Sequence, residues 1–243
     1  MTNLRAILFD LDDTLLGNRM DVFGPAYFRA LTDYAAHLIP RERLFSALLA
    51  ATRQVDANDG SGPTNEEVFA SAFYPALGFE REELEPLFNR FYAEEFPRLR
   101  RLTRRRPEAR RLVTWAFEHG LQVVIATNPL FPRSPTEQRL DWAGAPVSAF
   151  PYDLVTSYEN MHATKANPAY YGEIVERLGR KPEECLMVGD DWQRDILPAA
   201  AVGVSVYWIA PVQAGPSMVG VPLIGQGTLA TLWRQAQNEE LTL

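Results

Sequence analysis

Ala6-Ile7-Leu8-Phe9-Asp10-Leu11-Asp12-Asp13-Thr14-Leu15 is the stretch on which the fold turns. Four apolar residues run without interruption into three carboxylates and a threonine. Continuous apolarity is what a strand covered on both faces shows. Like charges crowded at the end of such a strand resist joint ionisation unless something positive lies between them. A hard divalent cation, which prefers oxygen ligands, is the simplest resolution. The stretch therefore predicts a buried parallel strand with a reaction centre at its C-terminal end.

Three more apolar runs share this character: Leu121–Asn128, Cys185–Asp190 and Val204–Ala210, beside the first at Arg5–Asp10. Asp153–Ser157 is a weaker fifth strand. Helical signals fill the gaps. Pro107 opens an amphipathic stretch that stops at Gly120, Ser134-Pro135-Thr136-Glu137 reads as a capping box with Gly144 as the stop, Asn167-Pro168 starts a helix that runs to Gly179, and Thr228 starts the last. Alternation of strand and helix implies right-handed crossovers and an α/β, Rossmann-like, doubly wound parallel sheet.

The interval from Gly17 to Arg106 differs. It contains no convincing strand, and helical patterns cover Pro25–Ile39, Arg41–Val55, Thr64–Leu77 and Arg81–Phe96. Thr64 and Glu67 form a capping box, Gly78 is a stop, and 56–63 must be a loop. The expected organisation is a core of residues 1–16 plus 107–243, with an all-helical insertion at 17–106.

Ligands of open α/β sheets bind beyond the carboxyl ends of the strands. Those ends carry Asp10, Asp12 and Thr14, then Thr127-Asn128, then Gly189-Asp190-Asp191 with Asp195 following, and Lys165 stands just ahead of a helix. Lys165 and Lys181 are the only lysines among 24 basic residues, which suits a need for a compact point charge at that place.

These motifs resemble the haloacid dehalogenase-like hydrolase superfamily: an Asp-x-Asp-x-Thr first motif, a hydroxyl residue ending the second strand, a lysine before a helix, and Gly-Asp with a further Asp. The likeness covers residues 4–16 and 108–210, and the helical insertion resembles the smaller cap type of that superfamily. The resemblance implies a phosphatase in which Asp10 attacks phosphorus and Asp12 serves as acid and then base. It implies Mg2+ held by Asp10, the carbonyl of Asp12, Asp190, and Asp195 or Asp191. Thr14, Thr127, Asn128 and Lys165 would bind the phosphoryl group, with Thr127 and Lys165 also assisting catalysis. A dehalogenase expels halide and needs no acid at Asp12, and a phosphonatase resembles Asp-x-Ala there, so the acid favours an oxygen leaving group. Two alternatives stay open: a sugar phosphomutase of the same fold and a non-catalytic interaction protein.

The bulk numbers agree. The chain has 243 residues, 47% apolar and 23% charged, which suits one α/β domain with a smaller insertion. A net charge of −7 argues against broad nucleic-acid binding. Cys185 is the only cysteine, so no internal disulfide forms. No apolar run approaches the ~20 residues of a membrane span, and the first strand begins too early for a signal peptide. The expectation is a soluble cytoplasmic protein, monomer or homodimer, acting on a small phosphorylated metabolite, with neither nucleic acid nor membrane as partner. The run from Arg98 to Arg106 reads as a solvated return to the core or as an electropositive rim. The loops 56–65 and 18–24 are expected to carry specificity, and the proline-rich stretch 129–135 to shape an entrance.

Overall fold

The computed structural model describes residues 4–210 and 220–241; the remainder of the expected core, 1–3, 211–219 and 242–243, lies outside the described residues. In chain order the strands are β1 (Ala6–Phe9), β2 (Leu16–Gly17), β3 (Arg104–Arg105), β4 (Gln122–Ile125), β5 (Leu154–Val155), β6 (Cys185–Gly189), β7 (Ser205–Ile209) and β8 (Leu223–Gly227). The helices are α1 (Met20–Tyr34), α2 (Arg41–Asp56), α3 (Asn65–Leu77), α4 (Arg81–Glu94), α5 (Pro107–Glu118), α6 (Arg133–Ala143), α7 (Pro168–Leu178), α8 (Leu197–Ala201) and α9 (Leu229–Gln237).

Six strands form one sheet in the order β5-β4-β1-β6-β7-β8, and every neighbouring pair is parallel. Side chains alternate across a strand, and β1 shows the consequence. Ile7 and Phe9 join the apolar cluster that includes Leu112 of α5 and Leu232 of α9. Ala6 and Leu8 join the opposite cluster, with Tyr170 and Ile174 of α7. Helices on both faces explain why the strands read as unbroken apolar runs. Phe9 stands level with Ile125 of β4 and Val188 of β6. Asp10, Thr127 and Asp190 therefore emerge at one edge of the sheet.

The helices α1–α4 and a 3-10 segment, Phe96–Leu102, lie between β2 and β3. These two short strands pair antiparallel, Leu16 with Arg105 and Gly17 with Arg104, so both connections to the helical segment run side by side. Thr64 caps α3 reciprocally with Glu67, as the sequence predicts. Asn167 and Thr228 cap α7 and α9, and Gly144 and Gly179 end α6 and α7 in the left-handed conformation.

Four expectations need correction. Helix α1 begins at Met20 rather than Pro25, which sits inside it; burial of Phe23, Tyr27 and Leu31 carries the turn that the proline weakens. The expected helix to Phe96 ends at Glu94, and the chain around Pro97 tightens into the 3-10 segment. Ser134 makes no capping box. Helix α6 starts at Arg133, whose N–H donates to Glu159 Oε1 at 2.9 Å, so a distant carboxylate caps it. Strand β8 and the β2–β3 pair have no counterpart among the expected strands; the pair is too short to show a period, and β8 holds two glycines.

Phe96 fastens the helical segment to the core. It is fully buried, stacks on Trp142 of α6 at 5.4 Å and meets Phe23 edge-on at 6.0 Å. Truncation of such a ring leaves a cavity that its neighbours cannot fill. Phe96→Ala is expected to lower the unfolding free energy by about 3–5 kcal/mol, read from urea denaturation followed by tryptophan fluorescence.

Candidate active site

Beyond Phe9 the chain cannot continue the sheet. Asp13 takes a left-handed conformation, φ 57°, and the Leu16 N–H returns to the Leu11 carbonyl at 2.8 Å. This tight excursion separates the carboxylates. Asp10 stays beneath the edge, 5% exposed, while Asp12 and Asp13 turn to other partners. The Asp10 N–H is fixed by the Val188 carbonyl at 2.9 Å.

Lys165 lies between Asp10 and Asp195. Its Nζ donates to Asp10 Oδ1 and, at 2.6 Å, to Asp195 Oδ1. All three groups are at least 95% buried. The segment that carries Lys165 is held from two sides. Asn128 Oδ1 accepts the Lys165 N–H at 3.2 Å, and the buried Asn65 of α3 donates to the Ala163 carbonyl at 3.0 Å. The 56–65 loop thus supports the lysine.

Strand β6 delivers the remaining acids. After Asp190 the chain winds through one π turn, Trp192–Ile196, a form often found at functional sites. Asp191 caps it, accepting the N–H groups of Gln193 and Arg194. The extra residue in the turn swings Asp195 back over Gly189. A Cβ on Gly189 would collide with that carboxylate, so glycine is required here. Thr14, fully buried, donates to Asp190 Oδ1 at 3.0 Å, and Trp208 Nε1 donates to the Asp190 carbonyl at 2.9 Å. Trp192 packs edge-on against Trp208 at 4.8 Å.

Asp10, Asp190 and Asp195 each offer a carboxylate oxygen, all within 4.8 Å of one another. Burial pushes the Asp10 carboxyl well above the ordinary carboxylate range; Lys165 opposes this, while Asp195 and Asp190 add to it. Asp190 is pushed up to about 7, by burial first and Asp195 next, against the Thr14 hydroxyl and the Lys165 charge. Burial opposes the charge on Lys165, but Asp10 and Asp195 prevail and hold its pKa above the usual lysine value. One ammonium is too little cation for three carboxylates. The donor set fits a hard divalent ion: all oxygen, mutually close and short of positive charge.

The Asp12 carboxylate stands outside this group. Arg139 Nη1 donates to its Oδ2, and Asn18 Nδ2 donates to its Oδ1 at 2.6 Å. Arg139 and Asn18 are both fully buried. The Arg139 guanidinium also lies 4.5 Å over the Phe131 ring. Neither role was legible: an arginine on a polar helix reads as a surface residue. Arg106, the last of the basic run, contacts Asp13 at 3.5 Å and donates to the Thr14 carbonyl at 3.1 Å. The rest of that run is mostly exposed, as a solvated return would be.

Thr127 is buried at the end of β4's extension, and its carbonyl accepts from Tyr170 and Thr156. The three histidines bond locally: His37 to the Tyr34 carbonyl, His119 to that of Trp115 and His162 to Glu173. Cys185 is buried and its thiol is pushed up to about 12 by burial, which leaves it an inert packing residue. Among the described residues no helix is long and apolar enough to cross a membrane.

The arrangement places a buried carboxylate, a group of acids that could hold a cation, a fixed ammonium and a threonine hydroxyl at one sheet edge. Comparisons with known proteins meet this geometry. A phosphoserine phosphatase from Thermus thermophilus is 30% identical over 234 residues, 85% of this chain and 88% of that protein. The bifunctional riboflavin kinase/FMN phosphatase of Arabidopsis thaliana is 24% identical over 226 residues, 91% of this chain but 49% of that protein. Two solved structures share the fold. A HAD phosphatase from Thermococcus onnurineus has TM-score 0.58 at 24% identity, covering 95% of this chain and 97% of its own. A 2-haloacid dehalogenase from Pseudomonas syringae pv. tomato has TM-score 0.66 at 20% identity, covering 98% and 100%. The family model of haloacid dehalogenase-like hydrolases matches residues 4–203, and the chain belongs to that family.

Proposed function

We propose that this chain is a Mg2+-dependent phosphatase of small phosphate monoesters that works through an aspartyl-phosphate on Asp10. The observation that carries the reading is the burial of Asp10 at the end of β1 with Lys165, Asp190 and Asp195 around it. Two relatives named as phosphatases support the same class.

Asp10, Asp190 and Asp195 would hold the metal, together with the Asp12 carbonyl. When bound, the ion supplies positive charge against the phosphate dianion. Asp10 attacks phosphorus, an acyl phosphate bond forms and the ester P–O bond breaks. Asp12 gives its proton to the departing alkoxide. It then takes one from the water that cleaves the acyl phosphate, releasing inorganic phosphate and restoring Asp10. The Thr127 hydroxyl donates to a phosphoryl oxygen, and Lys165 keeps Asp10 ionised and adds charge to the phosphate pocket. Asn128 places the lysine backbone, and Thr14 orients Asp190. Asn18 and Arg139 aim Asp12. The helices of 17–106 serve as a cap over this edge, and the paired connections β2 and β3 are its hinge.

Hydrolysis of 4-nitrophenyl phosphate is expected in Mg2+ and is expected to vanish on chelation. Asp10→Asn is expected to lower kcat at least about 10^3-fold; a variant as active as the parent would remove Asp10 from the mechanism. The same assay on a sugar phosphate separates free phosphate from an isomer. Lys165→Met leaves two buried carboxylates without their cation. It is expected to cost about 3–5 kcal/mol of stability in metal-free buffer, measured by urea unfolding, in addition to its loss of turnover.

A further inference from the structure

A cavity of about 940 Å³ lies among α1, α2, α3 and α4, and it does not include Asp10, Lys165 or Thr127 in its walls. Its walls are chiefly apolar and aromatic, among them Tyr27, Leu31, Leu48, Phe73, Tyr92 and Phe131. Packed interiors hold few voids larger than a water molecule, and a space of this size is that of a pocket for an organic ligand. It opens to solvent past Met20 and Phe45, which are 43% and 41% exposed, two of the five large apolar side chains so exposed among the described residues.

Some of the polar groups in these walls are already bonded. The Tyr27 and Tyr92 hydroxyls share a hydrogen bond at 2.8 Å, Thr32 donates to carbonyls of its own helix, and Asp33 pairs with Arg41 at 2.7 Å. Glu159 Oε2 is buried with no partner among the described residues. An occupant that suits this chiefly apolar and aromatic lining is a predominantly apolar body.

The cavity is one side chain away from Asp12, by two routes. Phe131, in its wall, carries the Arg139 guanidinium on its ring at 4.5 Å, and Arg139 holds Asp12 Oδ2. Met20, at its mouth, has its Sδ 3.9 Å from Asn18 Nδ2, and Asn18 holds Asp12 Oδ1. Both groups that aim the acid therefore rest on cavity residues. In the phosphatase reading Asp12 serves the departing alcohol, and these two routes join the cavity to that carboxylate.

We propose that the cavity receives the alcohol portion of the substrate, and that the substrates are phosphate monoesters of large, predominantly apolar alcohols rather than phospho-amino acids. The assignment of substrate class rests on the phosphatase reading. The phosphoryl group sits over Asp10, the apolar body passes Met20 and Phe131, and its presence is felt at Asp12 through Asn18 and Arg139.

The test is a series of ethyl, butyl, hexyl and decyl phosphate with Mg2+, below micelle-forming concentrations. Longer members of this series share nearly the same leaving-group acidity. The value of kcat/KM is expected to rise about fourfold per methylene until the cavity is full, and to exceed that for phosphoserine from hexyl phosphate onward. Thr52→Trp places an indole in the cavity and is expected to flatten the series. A flat series in a protein that does cleave ethyl phosphate overturns the cavity's role and leaves the phosphatase reading intact. A binding arm needs no turnover: decylphosphonate is expected to raise Tm more than methylphosphonate, and equal shifts overturn the proposal. Preferential binding of decylphosphonate by a protein that cleaves no ester upholds the cavity and removes the reaction assigned to Asp10.

Discussion

The ammonium of Lys165 between Asp10 and Asp195 is the contact on which the rest of the site depends. Three carboxylates are gathered, Asp10 and Asp195 buried and Asp190 half-buried, and buried like charges are tolerated only with a compensating cation and hydrogen bonds. The cost shows in the carboxyls themselves, with Asp10 raised well above its ordinary range and Asp190 raised to about 7. A chain that kept these acids only for folding would be more stable without them. Their presence makes sense where a divalent cation joins Lys165 to balance the three carboxylates.

The backbone devices around that contact serve the same end. A left-handed Asp13 lets the chain leave β1 abruptly, so that one carboxylate stays down and two move aside. A π turn after β6 adds the residue that carries Asp195 back over the sheet edge, and a glycine at 189 leaves room for it. Parallel pairing of β1 with both β4 and β6 then brings three distant segments level. Each device is local, and none would have purpose without the others.

What the sequence discloses and what it hides follow from range. The four central strands and the helix stops at Gly144 and Gly179 were legible because burial and capping leave local marks in composition. Asp10, Asp190, Asp195 and Lys165 were legible because charged residues at the ends of apolar runs are conspicuous, and the structure does bring them together. Arg139 and Asn65 were not, because each acts across the fold: Arg139 reaches Asp12 over 127 residues, and Asn65 reaches Ala163 over 98. Asn18 reaches Asp12 over only six residues, but a lone asparagine after a strand reads as an ordinary turn residue. The cap of α6 was misplaced for the same reason, since its acceptor, Glu159, lies on another segment. Strand β8 failed on composition, with two glycines in five residues.

The pairing of Asp12 with Arg139 reaches the helical segment through one more ring. A buried guanidinium needs a carboxylate, and that carboxylate is the one proposed to move protons. The ring beneath the guanidinium is Phe131, and its neighbour at 5.1 Å is Tyr27 of α1. Displacement of α1 therefore disturbs Phe131, then Arg139, then the aim of Asp12. A second tie, Arg106 to Asp13 and the Thr14 carbonyl, joins the end of the helical segment to the same turn. Two independent contacts thus tie the helical segment to the turn that carries these carboxylates.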